Sequence, residues 1–174
     1  MAEANVTQRR SAQTYSEVLY STRTEALFIV LTLLFAGLLA WRLAARGLDL
    51  LAIVLLCAAL FFLFYTLNYR TLRIQLTAET LTLSFGLFRW TVPLATVDRC
   101  YRDDVSLWRI GGAGIHFTWI EGRYRVMFNF LEYPRLVVAL TEKKGPVWDV
   151  VFSTRHPEEI QRFLDGVLAT PPPG

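Results

Sequence analysis

Cysteine and histidine are scarce in this chain, with two of each among 174 residues. A structural zinc site wants four spaced ligands and no CxxC pair is present, so metal binding is not expected. Cys57 lies inside a long apolar stretch and Cys100 in the more polar half. A disulfide would have to join dissimilar environments, and both residues read as reduced thiols, which fits a cytosolic face. Lysine is nearly missing too: 16 Arg and 2 Lys face 15 acids, giving a net charge of +3. These basic residues stand singly or in pairs rather than in a stripe, so nucleic acid is not an expected partner. Gly111, Gly112 and Gly114 have no following Lys-Ser or Lys-Thr pair and no helix start, so they read as a bulge or sharp loop rather than a phosphate cradle.

No catalytic constellation and no cofactor-binding set is recognised. His116 sits in a strand-like segment beside glycines, and His156 precedes Pro157 at a helix start. Asp103 and Asp104, near Arg99, Arg102 and Arg109, could meet a polyvalent partner, but adjacent side chains in a strand point oppositely and loop charges usually meet solvent.

Long apolar runs are what the sequence does have. Hydrophobic residues make up 53% and charged residues 19%, which excludes a disordered chain. Ala26 to Trp41 carries no charge, and 18 residues separate the flanking Arg23 and Arg42. As a helix that spacing covers about 27 Å, enough to cross a thin hydrocarbon core with both guanidinium groups at the headgroups. Leu50 to Tyr69 supplies a second uncharged run of 20 residues between Asp49 and Arg70, ending in Tyr65, Asn68 and Tyr69 as an emerging helix should. The intervening RLAARGLD, with Gly47, is long enough for a reversal. Residues 25–69 therefore read as a transmembrane helical hairpin, with spans at about 25–42 and 49–69, and the bilayer as partner. A signal peptide is the competing reading, but a leading region of about 25 residues is long for one.

Basic residues near the ends are Arg9, Arg10, Arg23, Arg70, Arg73 and Arg89, against Arg42 and Arg46 in the turn. That asymmetry places both termini in the cytoplasm and the chain in the inner, cytoplasmic membrane as a multi-pass protein. No charge lies within either run, so an ion path or proton relay lacks its usual groups and an anchor is the expected role. Residues 1–24 form an N-terminal flank whose Tyr15 to Tyr20 part reads as an interfacial approach to the first span or a plain tether.

Beyond Tyr69 the apolar period becomes two. Leu72, Ile74 and Leu76, then Leu81, Leu83 and Phe85, alternate with polar residues around the turn at 77–80. Pro93 suits a strand end. Short strands are expected at 89–92 and 97–102, the alternation carries onward through 115–119 and 124–130, and strands at 136–140 and 147–152 follow, giving seven or eight short strands over residues 70–169. Pro157, Glu158 and Glu159 open a closing helix at 157–168, with Ile160, Phe163, Leu164, Val167 and Leu168 at helical spacing. Phe163 and its neighbours are expected to cover the end of the core. Residues 170–174, with three prolines, read as a frayed tail.

The segments LTAETLTLSFGLFRWTVPLATVDRC, IGGAG and VVFSTRHPEEIQRFLDGV, following the hairpin in that order, resemble the bacterial pleckstrin-homology-like (PH-like) domain proteins with an N-terminal transmembrane hairpin. The resemblance implies a mainly β, partly closed barrel of two antiparallel sheets capped by the C-terminal helix, and a scaffolding or binding role. Relatives that bind phosphoinositides use a basic cluster in the first strand turn. The matching turn here, TAET, has no Lys or Arg, so phosphoinositide is not expected as a ligand.

Aromatic and basic side chains together are the remaining functional lead. Trp108, Arg109, Trp119, Arg123 and Arg125, with Arg89 and Trp90, form a candidate rim for a protein partner or lipid headgroups. The competing reading puts several of these aromatics in the core. Three functions stay open: a membrane-anchored non-catalytic binding or scaffold module, a structural accessory subunit of a larger membrane complex, and a small membrane-associated enzyme.

Overall fold

A computed structural model describes residues 14–169. Arg9 and Arg10, counted above for topology, and the 170–174 tail lie outside the described residues. Two long helices come early, α1 (Thr22–Arg46) and α2 (Leu50–Asn68). Ser21 caps α1 by accepting the Thr24 amide at 3.0 Å, and Asp49 caps α2 by accepting the Ala52 amide at 2.9 Å. Gly47, at φ 73°, ends α1 in a conformation that other residues resist. Arg42 then pairs with the Asp49 carboxylate across the reversal. The helices pack along each other through Thr32 and Thr66, whose hydroxyls lie 3.2 Å apart, and through the stacked rings of Phe35 and Phe62. Both are long and apolar enough to cross a membrane, and only 6% and 11% of their most apolar stretches are buried. Core helices of a water-soluble protein would be covered.

The helical hairpin does not precede the β domain; it is inserted in it. Tyr15–Tyr20, expected as an interfacial approach or tether, is a strand, β1, paired antiparallel with β2 (Thr71–Leu76) from Tyr15↔Leu76 to Tyr20↔Thr71. The whole of α1 and α2 is thus the connection of a β-hairpin. Strands β3 (Thr80–Phe85) and β4 (Phe88–Pro93) complete a four-stranded sheet in the order β1-β2-β3-β4. After β4 a short 3-10 turn, Leu94–Thr96, passes the chain to β5 (Val97–Arg102), and a single helical turn, α3 (Leu107–Ile110), leads to β6 (Gly114–Ile120). With β7 (Arg123–Asn129), β8 (Arg135–Lys144) and β9 (Val147–Ser153) these form a second sheet, β5-β8-β9-β7-β6. Helix α4 (Pro157–Leu168) packs on β5 and the 3-10 turn.

Two expectations fail here. There is no partly closed barrel: the sheets are separate and open, with β1 and β4 at the edges of one and β5 and β6 at the edges of the other. Pro93 brings no donor to the ladder, and the 3-10 turn sends the chain into the second sheet beside β8 instead of extending the first. Between β4 and β6 the contact is by side chain, Trp90 edge-on to Phe117 with centroids 6.5 Å apart. Nor is the second sheet wholly antiparallel, because β9 inserts between β8 and β7 and runs parallel to β7.

The main core lies between the sheets. Leu72, Ile74, Leu76, Leu81, Leu83 and Phe85 face Val126, Phe128, Leu136, Val138, Val150 and Phe152. Ile160 and Leu164 of α4 are fully buried on it, whereas Phe163, expected in that place, is only partly buried. A second cluster, Ile110, Ile120, Met127, Val137 and Val151, covers the other face of the second sheet beneath α3. Burial on both faces accommodates the continuous apolar runs Leu136 to Leu140 of β8 and Val150 to Phe152 of β9, while β2 and β3 alternate.

Candidate functional site

The arginines of the expected rim do different work from one another. Asp149 on β9 is buried, and its neighbour across the parallel ladder is Arg125. Arg125 Nε donates to Asp149 Oδ2 at 3.0 Å and Arg123 Nε donates to Oδ1 at 2.7 Å. Arg125 also lies 3.7 Å from Asp103, whose other oxygen accepts from Arg135 Nε at 2.7 Å. Arg135 further bonds the Val105 carbonyl. The network pins the 103–105 segment onto the outer face of the second sheet, so Arg123 and Arg125 are committed internally. Asp103 belongs to the same network, while Arg102 pairs with Glu158 and Arg99 sits over the Tyr101 ring.

The aromatics divide as well. Trp108 on α3 is 97% exposed and Arg109 beside it is exposed. Trp119 is 67% exposed on edge strand β6, on the same side as exposed Phe117, which stacks on Tyr124. Trp90 packs against the main core with Lys144 over its ring, and Arg89 is exposed. These residues therefore make no single rim.

The titratable side chains considered for chemistry are separate too. Burial pushes the Cys100 thiol up to about 12. His116 has its pKa lowered by burial, with a smaller opposing effect from the Ile110 backbone. His156 heads α4 without a side-chain cap. Among the described residues no three His, Cys, Asp or Glu side chains gather as a metal would require.

A concave site does exist where the first sheet meets the ends of the helices. It is a groove of about 600 Å³, lined by Arg70, Arg73 and Arg89 together with Glu25, Asn68 and Ser84, among others. The register explains the clustering: Arg73 on β2 pairs with Ser84 on β3, which pairs with Arg89 on β4. Side chains alternate along a strand, so these three share the outer face while Leu72, Leu83 and Phe85 enter the core. Arg70 pairs with Glu25 of α1 at 2.8 Å. The turn between β3 and β4 closes the wall: Gly86, at φ 57°, lies so near the Asn68 carbonyl that a Cβ would come within 2.2 Å of its oxygen. Phe88 then packs its ring against Phe64 and Tyr69 at the end of α2. In the sequence Arg70 and Arg73 stand only as topology markers, and Arg89 also as a member of the candidate rim. The alternation of Arg73 with Leu72 and Ile74 fixes the exposed face of β2, but which strands lie beside it is not written locally.

The other elements reach the same end of the helices. The Thr24 hydroxyl accepts from the Leu131 amide at 3.3 Å, and Gly114 abuts the Tyr65 ring. The Tyr133 hydroxyl donates to the Tyr20 carbonyl at 2.7 Å. Comparison with family models, curated proteins and solved structures finds no match to this chain.

Proposed function

We infer that the chain is a non-catalytic binding module anchored in the inner, cytoplasmic membrane by its helical hairpin. The observation that carries this reading is the insertion of α1 and α2, with their apolar surfaces uncovered, between paired strands β1 and β2. Because Tyr20 and Thr71 are ladder partners, the entry and exit of the hairpin lie on one side. Two chain crossings therefore hold the domain, and packing of Thr24 and Tyr65 against its loops limits how it can turn. A domain held this way presents a fixed face to lipid and another to the cytoplasm. The excess of arginine outside the turn supports a cytoplasmic domain. The non-catalytic part of the reading rests on commitment of the buried Asp103 and Asp149 carboxylates to arginines and of Cys100 to its protonated form.

The test uses the full chain in its native membrane, in a C57S/C100S background, with single cysteines introduced as Leu48→Cys in the turn and Glu142→Cys in the domain. The protein should resist alkaline extraction, and an impermeant maleimide should reach position 48 only from outside and position 142 only from the cytoplasmic side. Alkaline release, or labelling of both positions from one side, overturns the reading. A second reading, an accessory subunit of a larger complex, is favoured by exposed Phe117 and Trp119 on the open edge of the second sheet. It predicts a partner that copurifies in mild detergent and is lost on F117A/W119A substitution.

A further inference from the structure

We propose that the groove formed by Arg70, Arg73 and Arg89 binds the phosphate of an anionic phospholipid headgroup from the surrounding bilayer. The inference rests on the membrane-anchored reading above and names the ligand of that module. Charge comes first. Three arginines line the groove against one carboxylate, Glu25, and Glu25 is engaged by Arg70. Among the described residues Arg73 and Arg89 have no ion-pair partner, and both are exposed. They stand on β2 and β4 with the β3 residue Ser84 between them, so their Cα atoms are about 10 Å apart, two strand spacings. Two long guanidinium side chains at that separation can converge on one phosphate with the Ser84 hydroxyl beneath it. The planar fork of arginine suits phosphate oxygens.

Height decides between a lipid and a soluble phosphate compound. Helix α2 has 19 residues, about 28 Å of rise, close to the full hydrocarbon thickness. Its last turn therefore lies at the boundary with the headgroups. That turn supplies Leu67 and Asn68 to the groove wall. Phe88, whose ring meets Phe64 of the same turn, fixes β4 at this level, and Arg89 is the next residue. Leu87 at the tip of the β3–β4 turn is 82% exposed and Leu67 is 65% exposed, an arrangement that water disfavours and acyl chains accept. A lipid can thus place its chains beside Leu67 and Leu87 and its phosphate among the arginines. This face is distinct from the 77–80 turn, which carries no basic residue.

The full chain is reconstituted in nanodiscs of mixed phosphatidylglycerol and phosphatidylcholine, and lipids retained on gentle ejection are counted by native mass spectrometry. Wild type should retain phosphatidylglycerol preferentially, and R73Q/R89Q should lose this preference by roughly fivefold per arginine removed. Arg99→Gln, an exposed arginine on β5, should leave it unchanged. Both arginines of the double variant are exposed, so an unaltered circular dichroism spectrum and melting curve serve as the folding control. In a second arm, inorganic phosphate is titrated onto lipid-depleted protein in detergent. Equal retention of the two lipids by wild type, or equal preference in R73Q/R89Q, overturns the proposal. Phosphate binding that needs Arg73 and Arg89 while wild type shows no lipid preference overturns it in favour of a soluble phosphate ligand. Alkaline extraction of the chain from membranes would instead defeat the anchored reading itself, so the two failures are distinguishable.

Discussion

Replacing Glu17 by alanine tests whether the strand before the helices is part of the folded domain. Glu17 is 8% exposed on β1, and its carboxylate is the meeting point of three donors. The Thr154 hydroxyl donates at 2.6 Å, the Arg155 amide at 2.9 Å and the Tyr15 hydroxyl at 2.9 Å. These bonds tie the outer edge of the first sheet to the end of β9 in the second. A hydrogen bond to a charged group contributes about 1.5–3 kcal/mol, but the three are not additive, and Tyr15 can regain water when its partner goes. The buried Thr154 hydroxyl is the group left worst off. The expected loss is about 3 kcal/mol, a large part of the roughly 5–15 kcal/mol that holds a typical domain together. Urea unfolding of the full chain in detergent, followed by tryptophan fluorescence, reads this directly. With a slope of about 2 kcal/mol per molar, the midpoint should fall by about 1.5 M. Ser16→Ala, at an exposed neighbour, should stay within about 0.5 kcal/mol. In a double-mutant cycle Glu17→Ala and Thr154→Val should couple by about 1 kcal/mol or more. A midpoint unchanged in Glu17→Ala, or strict additivity with Thr154→Val, would refute the docking of β1.

The Asp149 network gives a second expectation: Asp149→Asn removes the counter-charge of half-buried Arg123 and the nearer of the two carboxylates beside buried Arg125, and should cost about 3 kcal/mol in the same unfolding assay, against less than about 0.5 for Asp98→Asn. Cys100, with its thiol pushed up to about 12, should exist as thiolate in only about one molecule in 10,000 at pH 8, so in a C57S background it should resist a thiol reagent until urea unfolds the domain. Fast reaction in the folded protein would contradict its burial. His116 is held below its ordinary value near 6.5 by burial, so below pH 6.5 the unfolded chain binds the proton more readily than the folded one. That stability contribution is present above pH 6.5 and is lost as pH falls toward the folded value. The urea midpoint of wild type should drop over this interval and that of His116→Gln should drop less; parallel pH profiles would refute the assignment.

Legibility in the sequence followed the range of the interaction. The two uncharged runs announced the helices, because a segment apolar on every side needs no partner to be recognised. Alternation at 72–76 and 81–85 announced exposed and buried faces, because the pleat has a period of two within one strand. Tyr15–Tyr20 was different. Its six residues carry a weak pattern, and they become a strand only because β2, some fifty residues later in the chain, offers an unpaired edge. The expectation of a barrel failed for a related reason, since closure depends on whether β4 continues the ladder or leaves it at Pro93. Arg123 and Arg125 looked like a recognition rim because sequence does not distinguish an arginine facing water from one facing Asp149. Arg73 reads only as a topology marker and Arg89 as part of a rim with Trp90, and it is β3 that sets the two side by side around Ser84. Composition and local period thus determined the two long apolar helices, the β character and the closing helix. The tertiary structure decided which strands are neighbours, and strand neighbours determine which charges are buried in pairs and which stay free to meet a ligand.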